Sequence, residues 1–401
     1  MFNIFQDHQK NNIVNSNVKE GVDRRIEFDY LRLFAVILVL LHHAILAYAT
    51  FAFINIENPI ATFSPVVDEN RWSGFDLIVL FNDKFFMPLL FLISGLFVWQ
   101  NLKTKGAWKY LSDRLKRLGI PFVIVIPLLI PLAYYPAQLE VGLITKVEIS
   151  YFEFWFQMIR NCFGTAGPLW FVWLLLSFDC LVTLLYRFCP PVIAIKKFAS
   201  NITNQPIVFF GILIAISTLA YLPMMLCFGP HEWVGLGPFI VQASRILFYL
   251  VYFFAGLTLG AAGFEHNVFK ADGLLAKRWW VWLATSLILN IVSIAILVSA
   301  KDLSIVNGFI LVLCCAATVF GFIGLFLRYA KRSFKIINNL SKNSYGIFLV
   351  HYVFVTWFQY LLLESSLAPS LKGMIVFAAT LVFSWGTVAT MRRVPIVAKV
   401  I

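Results

Sequence analysis

Charge is what this sequence has least of. Only 13% of its 401 residues are Asp, Glu, Lys or Arg, against roughly 25% in a soluble chain. Acids are scarcer than bases, 20 against 32. No polar stretch is long enough for a separate water-soluble domain, so a chain whose length would allow two or three is read as one membrane unit. The six cysteines, Cys162, Cys180, Cys189, Cys227, Cys314 and Cys315, lie in or beside apolar runs without metal or disulfide spacing. They read as small buried hydrophobes, and no metal site is expected. The alternation of an outer-membrane strand is also missing, as are internal repeats and low-complexity tracts. No cleavable signal is expected: the first ~25 residues are polar, and the first apolar run is too long for a signal-peptide core.

Apolar length is what the chain has instead. Hydrophobic residues make up 60% of it, with 41 Phe, and its mean hydropathy is +0.82. A bilayer core takes about 20 apolar residues in a helix. Ten runs qualify, at 31–53, 75–100, 119–136, 167–187, 206–228, 239–263, 279–300, 305–328, 344–363 and 371–391. With the N-terminus placed inside, 24 of the 32 Lys and Arg fall on cytoplasmic segments and 6 on outer ones, leaving Arg32 and Arg245 within spans. That split accounts for the +12 net charge by topology, with no nucleic-acid partner. The expected fold is an all-α polytopic membrane helix bundle of about ten transmembrane helices, both termini cytoplasmic. The layout is a tail at 1–28, a transmembrane domain at 29–391 and a tail at 392–401. The outer segment 137–166 reads as an amphipathic helix lying on the membrane surface.

Ionisable groups inside a span are costly, so each is a functional candidate. The first span holds Asp29, Arg32, His42 and His43. At 100° per residue, Arg32 and His43 fall about 20° apart and Asp29 about 40° to the other side, so the three form one stripe, with His43 ~16 Å along the axis from Arg32. His42 points elsewhere. A structural reading, with Arg32 snorkelling and His43 in a packed polar contact, weighs less for three groups on one stripe than for one. Arg114 and Arg117 sit three apart before Pro121, sharing a helix face. Guanidinium forks at the mouth of a bundle suit phosphate, although spacing alone favours a plain topology signal. Ser94-Gly95 allows close helix approach. Arg245, Asp179 and His351 are further outliers, for which a structural partner weighs at least as much as catalysis. Asp83 and Lys84 read as a mutually neutralising pair, and His231 as a solvent-exposed loop residue.

These residues have a familiar order. Asp29-Tyr-Leu-Arg32, ten residues and then His43 resembles the Arg-x10-His signature of the membrane acyltransferase family (acyltransferase type 3), which includes O-antigen acetyltransferases and glucan-modifying succinyltransferases. Met87-Pro-Leu-Leu-Phe-Leu-Ile-Ser94-Gly95 resembles its Ser-Gly segment. Arg114-x-x-Arg117 resembles its Arg-x-x-Arg motif, and Gly167-Pro-Leu-Trp170-Phe171 its Leu-Trp-Phe segment. Ser344-Tyr345 through His351 resembles its late Ser-Tyr-x-x-Tyr-x-x-His segment, with Phe348 in place of the second Tyr. The Met-Pro variant looks most like the branch containing glucans biosynthesis protein C. Phe28 and Leu33 depart from the family's usual residues around the first motif.

The resemblance implies an acyl-CoA donor (acetyl-CoA or succinyl-CoA) on the cytoplasmic side of an inner membrane, and a hydroxyl of an extracytoplasmic glycan as acceptor. It implies His43 as general base or acyl carrier, with Arg32 and Asp29 paired below it. Arg114, Arg117, Ser94 and Gly95 are implied to hold the donor, and Arg245, Trp170, Tyr345 and His351 to contact substrate. Two other classes compete. A secondary transporter of organic anions would share many helices and intramembrane Arg and His, but paired Gly/Pro breaks in two halves are not evident. A non-catalytic membrane subunit of polysaccharide export would make the stripe structural.

Overall fold

Unbroken apolar runs fold as helices because, inside a bilayer, every backbone N–H and C=O must be satisfied within the segment. The computed structural model describes residues 25–62, 64–188, 205–264, 268–299 and 303–401. The tail up to residue 24, Cys189, Lys196, Lys197 and Lys301 lie outside the described residues. Helix α1 spans Ile26–Leu46 and α2 spans Ser73–Leu96, running on into α3, Val98–Lys105. Helix α4, Ala107–Arg114, passes through a π-helical turn, Leu115–Gly119, into α5, Ile120–Thr145. A short helix α6, Tyr151–Arg160, precedes α7, Trp170–Phe188, and α8, Pro206–Phe228. After a hairpin of β1, Trp233–Leu236, and β2, Phe239–Gln242, come α9, Ile246–Ala262, and α10, Leu274–Lys277. Helices α11, Trp279–Val298, α12, Ser304–Tyr329, α13, Lys335–Leu361, α14, Pro369–Met391, and α15, Pro395–Ala398, complete the chain.

Among the described residues nine helical stretches are long and apolar enough to cross a membrane. The protein is therefore an all-α multi-pass membrane protein. The tenth expected span lies in α13, which has the length but carries Ser344, His351, Thr356 and Gln359 buried inside the bundle, lowering its apolar character. Its course is fixed by α1. The Tyr30 hydroxyl donates to Asn338 at 3.0 Å and Ser341 to the Asp29 carbonyl at 3.0 Å, while at the far end Gln359 reaches the His43 carbonyl at 2.9 Å. So α13 runs parallel to α1 over its whole length and traverses what α1 traverses. Helices α8, α11 and α14 bury only 17–22% of their most apolar stretch inside the protein, which leaves most of their surface for lipid.

Two local features depart from the expectation. Helix α5 continues to Thr145, so the amphipathic helix expected over 137–166 is only the ten residues of α6, started by Ser150, whose hydroxyl accepts from the Glu153 N–H at 3.3 Å. This is a Ser-x-x-Glu start. The second is the antiparallel hairpin, where the sequence reads as helix from 239 onward.

Proline and glycine set how the central helices meet. Pro131 and Pro136 have no N–H, so the carbonyls four residues earlier, Pro127 and Leu132, lose their helical donors. Both are satisfied by tryptophan: Trp155 Nε1 donates to Pro127 at 2.8 Å and Trp357 Nε1 to Leu132 at 2.9 Å. The indoles thereby fasten α6 and α13 onto α5. Between α2 and α9, a Cβ at Gly95, Gly256 or Gly260 would collide with the backbone carbonyl of Phe253, Leu92 or Leu96 respectively. Three glycines thus let two backbones touch.

Candidate active site

His43 stands on the last turn of α1. The final four carbonyls of a helix have no partner within it. Here the Ile45 and Leu46 carbonyls accept from Tyr48 and Ala49 as the chain turns. Those of His43 and Ala44 accept from the Gln359 amide at 2.9 and 3.2 Å. Both acceptors are carbonyls, so the nitrogen of that amide must face them. Gln359 therefore fixes the backbone that carries His43.

The His43 ring lies 5.5 Å from the His351 ring and 5.0 Å edge-on from Tyr352. His351 is fully buried, and its Nδ1 is 2.7 Å from the Phe348 carbonyl one turn below. A carbonyl only accepts, so Nδ1 carries the proton and Nε2 of the neutral ring is a bare acceptor. That Nε2 and His43 Nδ1 are both buried without a protein partner among the described residues. Tyr352 continues the aromatic wall to Tyr134 at 5.6 Å. His42 turns aside and stacks on Phe86 at 5.1 Å, as the 100° step between neighbours requires.

Arg32 and Asp29 sit at the other end of α1. Their nearest charged atoms are 4.0 Å apart, and the Arg32 guanidinium lies 5.8 Å from the centre of the Phe97 ring. The charges of Arg114 and Arg117 also act on Arg32. Arg114 is anchored from below. Its Nε donates to the Tyr110 hydroxyl at 3.1 Å and lies 3.2 Å from an Asp179 oxygen, an ion pair whose N–H is not aimed at that oxygen. Tyr110 donates to the other Asp179 oxygen, and Asp179 is fully buried. Asp179 thus serves as the buried partner of Arg114. The π-helical turn rotates Arg117 away from the α-helical position three residues on, leaving it exposed. Its carbonyl accepts from Tyr345 at 2.7 Å, which ties the turn to α13. Arg114 and Arg117 nonetheless line one open cleft of about 310 Å³, together with Asn101, Lys105, Tyr110, Asp113, Lys116 and Lys399. Lys399 shows that the expected C-terminal tail folds back onto this mouth.

The remaining candidates lie elsewhere. Ser94 donates to the Leu90 carbonyl of its own helix at 2.8 Å, and Gly95 is at the α2–α9 crossing. Trp170 opens α7 and stacks on Tyr249 at 5.4 Å. Arg245 sits in a single 3-10 turn before α9, nearly buried, with Nη2 2.5 Å from Asp83 and Nη1 2.8 Å from the Asp83 carbonyl. This corrects the reading of Asp83 and Lys84 as a pair. Neighbours on a helix diverge by 100°, so Asp83 meets Arg245 while Lys84 turns to Asn290 at 2.8 Å. Lys84 and Lys372 are both buried, Lys372 against Asp68 at 2.7 Å.

A family model for the acyltransferase domain, acyltransferase type 3, matches residues 25–389. The chain belongs to this membrane acyltransferase family. No curated protein and no solved structure gives a significant match.

Within this membrane acyltransferase the sequence reading passed over Gln359 and the ordering of His351. Gln359 carried a usable signal: it is an uncharged amide in an apolar run, which needs partners wherever it is buried. That the partners are the carbonyls of α1 could not be read, because they belong to a helix more than 300 residues away.

Proposed function

We propose that this membrane acyltransferase moves an acetyl or succinyl group from acyl-CoA to a hydroxyl of an extracytoplasmic glycan, either a periplasmic glucan or a cell-surface polysaccharide. It would act in the inner membrane with the Arg114 end cytoplasmic. The observation that carries the reading is a pair of polar sites at the two ends of α1 in an apolar bundle. At one end, on the side of Arg32, a cleft holds Lys105, Arg114, Lys116, Arg117 and Lys399 against Asp113; at the other, His43 lies 5.5 Å from His351. Phosphates of CoA match the cleft, since guanidinium forks take phosphate with two N–H groups at once. The pantetheine arm is the part of the donor with the reach to follow α1 from Arg32 to His43.

At His43 the neutral imidazole takes the proton of the acceptor hydroxyl as its oxygen attacks the thioester carbonyl. The C–O bond forms, the C–S bond breaks, and the proton passes to the departing sulfur, giving free CoA and an O-acyl sugar. His351 Nε2, a bare lone pair beside His43, favours the imidazolium form during the step.

The test is acyl content of the surface glycan by mass spectrometry with His43→Ala and His42→Ala, membrane levels being matched. Removing a general base costs about 10²- to 10⁴-fold. His43→Ala is expected to abolish acylation while His42→Ala largely keeps it. If neither change alters any acyl modification, His43 is a packed histidine and the reading falls.

A further inference from the structure

Asp83 is in the wrong place for a carboxylate with nothing to do. It lies ten residues into α2, in a helix long and apolar enough to cross a membrane. Yet its side chain is 40% exposed, whereas that of Arg245, which clamps it, is 5% exposed. An anion does not face hydrocarbon without a partner, and its surroundings are polar. Arg245 holds Oδ2 at 2.5 Å, and His42 and His231 in the loop before β1 lie within range of the charge of Asp83. Asp83 thus presents one oxygen fixed by the buried Arg245 and the other open.

The wall beside it is aromatic. Tyr249, one turn above Arg245 on α9, stacks on Trp170 with ring planes 27° apart, and Trp170 meets Trp233 of the hairpin at 6.1 Å. Trp233 is 41% exposed. The Arg245 Nε is buried without a partner among the described residues. A carboxylate with an open acceptor, fixed by a buried guanidinium, and flat aromatic faces form a set that fits a polyhydroxylated ring. Hydroxyls donate to the open oxygen of Asp83, which Arg245 holds in place, and ring C–H faces lie on indole. Because Asp83 already cancels the charge of Arg245, the set favours a neutral polyol over a carboxylate.

We propose that Asp83, Arg245, Trp170 and Trp233 form the acceptor subsite, which binds neutral sugar residues at the end of the bundle away from the basic cleft. The proposal rests on the acyltransfer reading above for its role, but the binding itself is testable apart from it. Full-length protein purified in detergent is titrated calorimetrically with cello-, malto- and laminari-oligosaccharides in the absence of acyl-CoA, and separately with acetyl-CoA. Wild type is expected to bind at least one oligosaccharide series. Asp83→Asn, which loses a charge-assisted acceptor, is expected to weaken that binding about ten- to a hundredfold. Trp233→Ala, at a position 41% exposed, is expected to weaken it as well. Acetyl-CoA affinity should stay within about twofold in both. If no oligosaccharide binds, or if binding survives both changes, the subsite is wrong. Should wild type transfer no acyl group but lose sugar binding in both variants, the subsite stands and the reaction reading fails. Should transfer proceed with the acceptor KM unchanged in both, the reaction stands and the subsite fails.

Discussion

Gln359→Leu isolates what holds His43 in place. Leucine keeps the bulk of glutamine and removes its two N–H donors. The carbonyls of His43 and Ala44, now at 2.9 and 3.2 Å from that amide, would be left without a donor at a buried helix end. Each unpaired buried carbonyl costs about 1–3 kcal/mol, so the pair costs on the order of 2–6 kcal/mol. Fraying the last turn of α1 relieves much of that cost by exposing the carbonyls, and it moves the His43 ring away from His351. A misplacement of about 1 Å at a reacting group costs on the order of a hundredfold in rate. The expected outcome is a fall in kcat of that order with the KM for acyl-CoA unchanged, because the donor cleft lies at the opposite end of α1. The assay is steady-state acyl transfer by purified protein, with thermal unfolding in the same detergent. A lowered unfolding temperature with kcat within twofold of wild type would refute the argument: Gln359 would then stabilise the helix end without positioning the imidazole.

Other consequences are as direct. Lys372 and Asp68 form an ion pair at 2.7 Å with both side chains at most 1% exposed, and removing one partner of such a pair costs about 3–5 kcal/mol. Lys372→Met should therefore lower the unfolding temperature sharply, and adding Asp68→Asn should restore much of it; equal stability of the single and double variants would contradict the pair's role. Gly95→Ala should destabilise the protein by forcing α2 and α9 apart, whereas Gly386→Ala in α14, with nothing within 4 Å of a new Cβ, should be neutral or slightly stabilising. Thermal unfolding of the two variants checks this, and equal effects would mean that the close crossing is not structurally required. Arg114→Ala should raise the KM for acyl-CoA with little change in the acceptor KM, measured by transfer at varied donor; an unchanged donor KM would remove Arg114 from the donor cleft.

Some of the site is local in character. The Asp29–Arg32–His43 stripe follows from the 100° step of one helix, and the step also sends His42 aside to Phe86. The polar outliers in apolar runs could be flagged singly, because an intramembrane charge needs a partner. Which partner could not be read. Asp83 and Lys84 are adjacent in sequence, yet one meets Arg245 and the other Asn290, since helix geometry separates neighbours and brings distant segments together. Arg114 and Arg117 were placed on one face by an α-helical spacing. The π-helical turn between them, for which no spacing rule gives a signal, leaves Arg117 exposed and Arg114 anchored on Asp179.

Composition and hydropathy by themselves determined that this is an all-helical protein of many membrane spans, because hydrocarbon tolerates only segments that satisfy their own backbone. Ordered motifs along one chain also determined the family. Tertiary structure alone decided that Gln359 of α13 caps the end of α1, that indoles of Trp155 and Trp357 fill the gaps left by prolines in α5, and that Lys399 returns to the basic cleft. Each of these is a pairing between helices far apart in sequence. A hydrophobic run states that a segment will be buried in lipid or in protein, but it is silent on which neighbour will lie against it.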